Sequence, residues 1–179
     1  QDLPKLAQAS IGQNDVAATP LQIALDSAAV ANGGEMLRPT AVREVVDSDG
    51  DVIETIDPEV WKTPLDPGSA ATLKEAMVNV VEGPRGTASV LRIPGYEVGG
   101  KTGTAQLGTD PPMSHTWIAA FAGPPGDPQI AIAVVVLNQS GARESTGGRV
   151  AGPIAREVLE AALAINAAFF VGELAAGLL

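Results

Sequence analysis

Three β-prone runs, Tyr96 to Gln106, His115 to Ala122 and Gln129 to Leu137, are joined by loops that are too short for helical crossovers. The loops hold Pro111-Pro112 and Pro124-Pro125-Gly126-Asp127-Pro128, and parallel neighbours would need a dozen or more connecting residues, so the strands must run antiparallel. The third run is almost unbroken Ala, Ile, Val and Leu, the pattern of a strand buried on both faces. Trp117 and Phe121 fall on one face of the second run, which predicts a core position for both rings.

Helices are expected on either side of these strands. Thr19-Pro20 places a hydroxyl cap before a proline at the first helical position; Leu21, Leu25 and Ala28 follow at helical spacing, and Gly33-Gly34 ends the run. Asp66-Pro67 repeats the device, with Leu73, Met77 and Val80 as the apolar stripe and Gly83-Pro84 as the stop. Between these helices, Ala41 to Val46 and Val52 to Ile56 flank an Asp-Gly turn, predicting a surface hairpin. Pro153 is read as opening a last helix through Ile154, Val158, Leu159 and Leu163. The fold class is therefore α+β, an antiparallel sheet flanked by helices. Residues 1–164 read as part of one domain and 165–179 as an apolar tail.

Composition removes several chemistries. A net charge of −10 leaves eleven scattered cations, too few for a phosphate-binding surface, so nucleic acid is not an expected partner. With no cysteine, thiolate nucleophiles, thiolate metal sites and disulfides are excluded. His115 is the only histidine; that excludes zinc sites built on several imidazoles, and it reads as a strand-start residue. No metal or cofactor is expected. Arg143, Glu144 and Arg149 read as a solvated loop. Gln1 to Gln8 lacks the basic and apolar regions of a secretory signal, and the chain reads as a piece of a longer protein.

One motif points two ways. Gly95 to Thr102 spells G-x-x-x-x-G-K-T, the phosphate-loop pattern, whose mechanism needs a helix starting at the lysine. After Lys101 come Thr102-Gly103-Thr104, Gly108 and Pro111-Pro112, which cannot sustain a helix. Taken as a strand, the same residues give Lys101-Thr102-Gly103, the lysine-threonine-glycine signature of penicillin-binding proteins and class A β-lactamases. Together with Thr104-Ala105-Gln106, the aromatic strand from His115 and the strand Ile130 to Leu137, it resembles the end of a penicillin-binding transpeptidase domain. Gly12-Gln13, Thr19-Pro20-Leu21-Gln22, Asn32-Gly33-Gly34, and Gly147-Gly148 with Ala151-Gly152-Pro153 are similar to further motifs of that family. The resemblance covers residues 8 to 164; Asn14 departs from it, standing where the family often has glycine.

What the resemblance implies is acyl transfer on D-Ala-D-Ala stem peptides, blocked by β-lactams, in a class B-like peptidoglycan D,D-transpeptidase. It makes Lys101 and Thr104 catalytic and Lys101, Thr102, Gly103 and Thr104 substrate-binding. Lys101 supplies charge and helps relay a proton, the Thr102 and Thr104 hydroxyls hold the substrate carboxylate, and the Thr104 N–H is one oxyanion donor. Gly103 lets the acyl group approach the backbone. A β-lactamase-like hydrolase and a catalytically silent binding domain remain alternatives. The family nucleophile lies in S-x-x-K, yet Lys5, Lys62, Lys74 and Lys101 follow Asp2, Glu59, Ala71 and Val98 at that spacing. S-x-N is also absent, because Asn14, Asn32, Asn79, Asn138 and Asn166 follow Gly12, Val30, Met77, Val136 and Ala164. The expected partners are stem peptides, β-lactams and a missing N-terminal part of the same protein, with the parent anchored to the membrane outside this segment and acting outside the cytoplasm. Two strands of the family's five-stranded sheet would come from that part. Ile130 to Leu137 is then left with an apolar edge, to be covered by the parent, a swapped copy or Phe169-Phe170-Val171.

Overall fold

A computed structural model describes residues 2–14, 16–141 and 145–176, with the side chains of 169–176 outside that description. In chain order the elements are α1 (Leu3–Ala9), α2 (Pro20–Ala31), β1 (Met36–Leu37), β2 (Glu44–Val46), β3 (Val52–Thr55), β4 (Val60–Lys62), α3 (Pro67–Glu82), a 3-10 turn (Ser89–Leu91), β5 (Glu97–Gln106), β6 (Met113–Gly123), β7 (Ile130–Ser140) and α4 (Gly147–Ala176). β5, β6 and β7 form one antiparallel sheet in that order, as the short loops require. β2 and β3 form the expected hairpin, and the Asp47 carboxylate accepts the N–H groups of Asp49 and Asp51 within its turn.

Alternation sorts the sheet into two faces. On one, Val98, Ile118, Ala120 and Ala122 are buried against Val81 of α3, Leu91 and Ile93, and against Ala151, Ala155, Leu159 and Leu163 of α4. The buried stripe of α4 thus recurs every four residues through two alanines, allowing close approach of helix and sheet. Ile154 and Val158 lie outside that stripe and are exposed. The other face carries Lys101, Ala119 and Phe121, and α2 packs against β6 and β7 there.

The cap predictions hold. The Thr19 hydroxyl accepts the Gln22 N–H at 3.2 Å, and Gln22 Oε1 accepts the Thr19 N–H at 2.8 Å, a reciprocal capping box. Asp66 caps α3 through the N–H and hydroxyl of Ser69, and these two donors hold its carboxyl below the usual carboxylate range. Thr19→Ala is expected to destabilise the domain by about 1 kcal/mol. The check is a lower urea midpoint; an unchanged one would mean that packing alone holds α2.

Several expectations need correction. α4 begins at Gly147, not Pro153, which lies inside it. The proline removes the bond to the carbonyl of Arg149, an exposed residue where water can replace it. From there α4 runs on to Ala176, which leaves the reading of 165–179 as an apolar tail untouched. β7 is half-buried, not buried on both faces, because among the described residues no strand pairs with its far edge; Leu137 near its end is 56% exposed. Trp117 is half-buried while Phe121 is fully buried, so only one of the two rings is core. His115 lies within β6 at a bulge, where its Nδ1 accepts the Asn138 N–H at 3.1 Å. Arg149 is exposed as expected, but it stands in the first turn of α4 and not in a loop. Arg143 and Glu144 lie outside the described residues, as do the side chains of Phe169, Phe170 and Val171.

α1 and the β1–β4 pair leave no clear mark in the sequence. Arg38, just after β1, ties the two strands together through a two-pronged bond to Glu59, just before β4, at 2.8 and 3.2 Å, which lowers the Glu59 pKa. Among the described residues no helix is long and apolar enough to cross a membrane.

Candidate functional site

The lysine-threonine-glycine segment is strand, not the start of a helix: Lys101, Thr102, Gly103 and Thr104 pair with Ala119, Ile118, Trp117 and Thr116 of β6. The phosphate-loop reading fails on this point, because there is no helix N-terminus at Lys101 to receive a phosphate. β5 is an edge strand, paired on one side only among the described residues.

Which backbone groups face the open edge follows from strand geometry. The Thr104 carbonyl accepts Gln13 Nε2 at 3.0 Å, and the Gln106 N–H donates to Gln13 Oε1 at 3.3 Å. Gln13 is not part of the sheet, so Thr104 and Gln106 direct their backbone groups away from β6. In an antiparallel ladder the N–H and C=O of one residue point to the same side. The Thr104 N–H therefore faces the open edge, as does the Thr102 carbonyl, which accepts the Lys101 ammonium at 2.6 Å.

The side chains divide between the two faces. Lys101 is exposed and forms no ion pair among the described residues. It stands beside a cleft of about 340 Å³ with Ala119 and Trp117 on its floor and Ile11, Gln13, Val16 and Ile23 on its far wall. Thr102 and Thr104 point their side chains to the opposite face, where the Thr102 hydroxyl lies 2.9 Å from that of Thr87. Gly103 is flush with the floor: a Cβ there would lie 3.1 Å from Trp117 Cβ. Behind it, a Cβ on Gly147 would lie 2.2 Å from the Trp117 carbonyl and 2.7 Å from that of Gly103. The first turn of α4 thus presses directly on the strand and fixes its position.

All four predicted site residues therefore lie along one strand edge, Lys101 exposed and the other three half-buried. An ammonium and two hydroxyls bracket an edge carrying an outward-facing N–H donor, an arrangement suited to an extended peptide ending in a carboxylate. Gln13 belongs to the Gly12-Gln13 pair of the resemblance, but nothing in its sequence neighbourhood announces its contact with this edge. Thr87 carried no local signal; a threonine in a Gly-Thr-Ala turn is unremarkable until the fold brings it to β5.

Known proteins resemble this chain over most of its length. The family model for the penicillin-binding protein transpeptidase domain matches residues 4–160. The chain is 41% identical over 164 residues to the peptidoglycan D,D-transpeptidase PbpA of Mycolicibacterium smegmatis, covering 90% of this chain and 33% of that protein. It is 31% identical over 161 residues to the stage V sporulation protein D of Bacillus subtilis, covering 88% of this chain and 24% of that protein. Among solved structures, the penicillin G acyl-enzyme complex of penicillin-binding protein A from M. tuberculosis superposes with a TM-score of 0.75 at 41% identity, over 90% of this chain and 36% of that one. The chain spans about a quarter to a third of the length of the two curated relatives. With its lysine-threonine-glycine strand placed as an open edge, the chain belongs to the penicillin-binding protein transpeptidase domain family.

Proposed function

We propose that this chain is the substrate-binding wall of a serine-type peptidoglycan D,D-transpeptidase that cross-links D-Ala-D-Ala stem peptides and is acylated by β-lactams. The observation that carries the reading is the ledge: a strand edge with no neighbouring strand among the described residues presents the Lys101 ammonium and the outward N–H of Thr104 beside an open cleft, with the Thr102 hydroxyl on the other face of the same strand. The relatives support it, since two are named peptidoglycan D,D-transpeptidases or solved as a penicillin acyl-enzyme.

In this mechanism a serine Oγ attacks the carbonyl of the penultimate D-Ala, and the terminal D-Ala leaves with a proton. The resulting ester is then passed to an amine of a second stem peptide. Lys101 holds positive charge at the serine and relays its proton. The Thr104 N–H stabilises the oxyanion, and the Thr102 and Thr104 hydroxyls hold the leaving residue's carboxylate. The serine does not come from this chain, which holds neither S-x-x-K nor S-x-N; preceding sequence of the same protein supplies it. That sequence also supplies the strand that covers the open edge of β7. Residues 1–164 then complete one transpeptidase domain, with membrane anchoring outside this segment and action outside the cytoplasm.

The test is labelling of the full-length protein with a fluorescent penicillin. Acylation that persists for many minutes is expected, with none on the 179-residue chain alone. Rapid release of the label would make the protein a hydrolase, and no label on the full-length protein would leave only a binding domain.

A further inference from the structure

We infer that Thr87 is a positioning residue for substrate carboxylate, acting through the hydroxyl of Thr102; this rests on the reading of the ledge given above. The two hydroxyl oxygens lie 2.9 Å apart, and either can donate. Nothing in the packing calls for the pair. Thr87 is exposed and Thr102 half-buried, so water could satisfy both groups.

The turn that carries Thr87 is nevertheless tightly held. It folds back on the end of α3: the Gly86 N–H donates to the Gly83 carbonyl at 3.0 Å and the Ala88 N–H to that of Val80 at 3.1 Å. Ala88 is fully buried, and a Cβ on Gly86 would lie 2.3 Å from the Val80 carbonyl. From the other side, a Cβ on Gly148 would come within 2.3 Å of the Thr87 carbonyl and 3.4 Å of Thr102 Cγ2. The end of α3 and the first turn of α4 thus clamp Thr87 between them and aim its hydroxyl at β5.

An anionic ligand fixes the direction of the pair. An ionised carboxylate only accepts hydrogen bonds, and a threonine hydroxyl has a single proton. When Thr102 gives that proton to the carboxylate, its oxygen is left as an acceptor, and Thr87 becomes the donor. The chain runs from the Thr87 O–H to Thr102 Oγ1 and from the Thr102 O–H to the carboxylate, each bond polarising the next. Thr87 then holds the Thr102 rotor in the orientation that meets an anion. It touches no reacting atom.

Acylation kinetics of the full-length protein test this with two ligands, penicillin G and its methyl ester, which lacks the anion. Thr87→Val keeps the side-chain shape and removes the donor; it is expected to slow acylation by penicillin G about tenfold and to leave the slower reaction with the ester unchanged. Thr87→Ser restores the hydroxyl and brings the rate with penicillin G to within about twofold of the original protein. Equal losses with both ligands would show a merely structural role and overturn the inference. So would an unchanged rate in Thr87→Val, or failure of Thr87→Ser to recover. If the unsubstituted protein is not acylated at all, the transpeptidase reading falls and takes this one with it; if it is acylated and Thr87→Val reacts as fast, only this inference falls.

Discussion

Lys101→Ala in the full-length protein is expected to slow acylation by penicillin about a thousandfold, the middle of the range for a group that moves a proton in the transition state. The cost to stability should be negligible. Lys101 is exposed, and among the described residues its ammonium forms no ion pair and one hydrogen bond, to the carbonyl of its neighbour, Thr102. Substitutions at such exposed positions usually change stability by less than about 0.5 kcal/mol. The rate would therefore fall without a change in the melting curve, and time-resolved labelling with a fluorescent penicillin measures it. Lys101→Arg separates the two tasks assigned to the ammonium. Arginine keeps the charge but cannot give up its proton, so it should recover only the electrostatic share of the rate. Full recovery with arginine would remove the relay, and a loss smaller than tenfold in Lys101→Ala would remove Lys101 from the chemistry.

The ledge was legible because its information is local. Thr102-Gly103-Thr104 running into Gly108 and paired prolines rules out a helix at Lys101 from sequence alone, and short loops force the antiparallel order that makes β5 an edge. Thr19-Pro20 and Asp66-Pro67 gave both helix starts for the same reason, since the cap and the proline act within one turn. Features set by distant contacts were not readable. The start of α4 is fixed at Gly147 by contact with Gly103 and Trp117, thirty or more residues earlier, so Pro153 is a misleading marker. Strands β1 and β4, of two and three residues, are too short to show a period and exist only through their pairing. The even apolar run of β7 fits a strand between two neighbours; the chain itself supplies only one among its described residues, and half-burial follows. Thr87 and Gln13 reach the site across fourteen or more residues of sequence, which is why spacing did not reveal them.

Phe121→Ala should have the largest effect on stability, about 3–5 kcal/mol, which lowers the melting temperature of the full-length protein by about 10 °C. Phe121 is fully buried, on the same face of β6 as Ala119, which stands opposite Lys101. Its ring lies over Gly99, where a Cβ would come within 2.1–2.8 Å of three ring carbons, and the Lys74 ammonium stands 6.0 Å from the ring centre. The glycine leaves the space and the phenyl ring fills it, so removing the ring opens a void that the strand has no side chain to close. Because Gly99 is two residues from Lys101 on the same strand face, that void also loosens the floor of the cleft, and acylation should slow together with the loss of stability. The pairing makes a sharper test than the single substitution. Gly99→Ala alone must push the ring aside, but in the Phe121→Ala background its methyl group enters the vacated space. The double variant should then be more stable than the sum of the two single losses. Strict additivity, or a melting temperature for Phe121→Ala within about 2 °C of the original protein, would mean that neighbouring side chains close over the space and that the ring does not hold the strand in place.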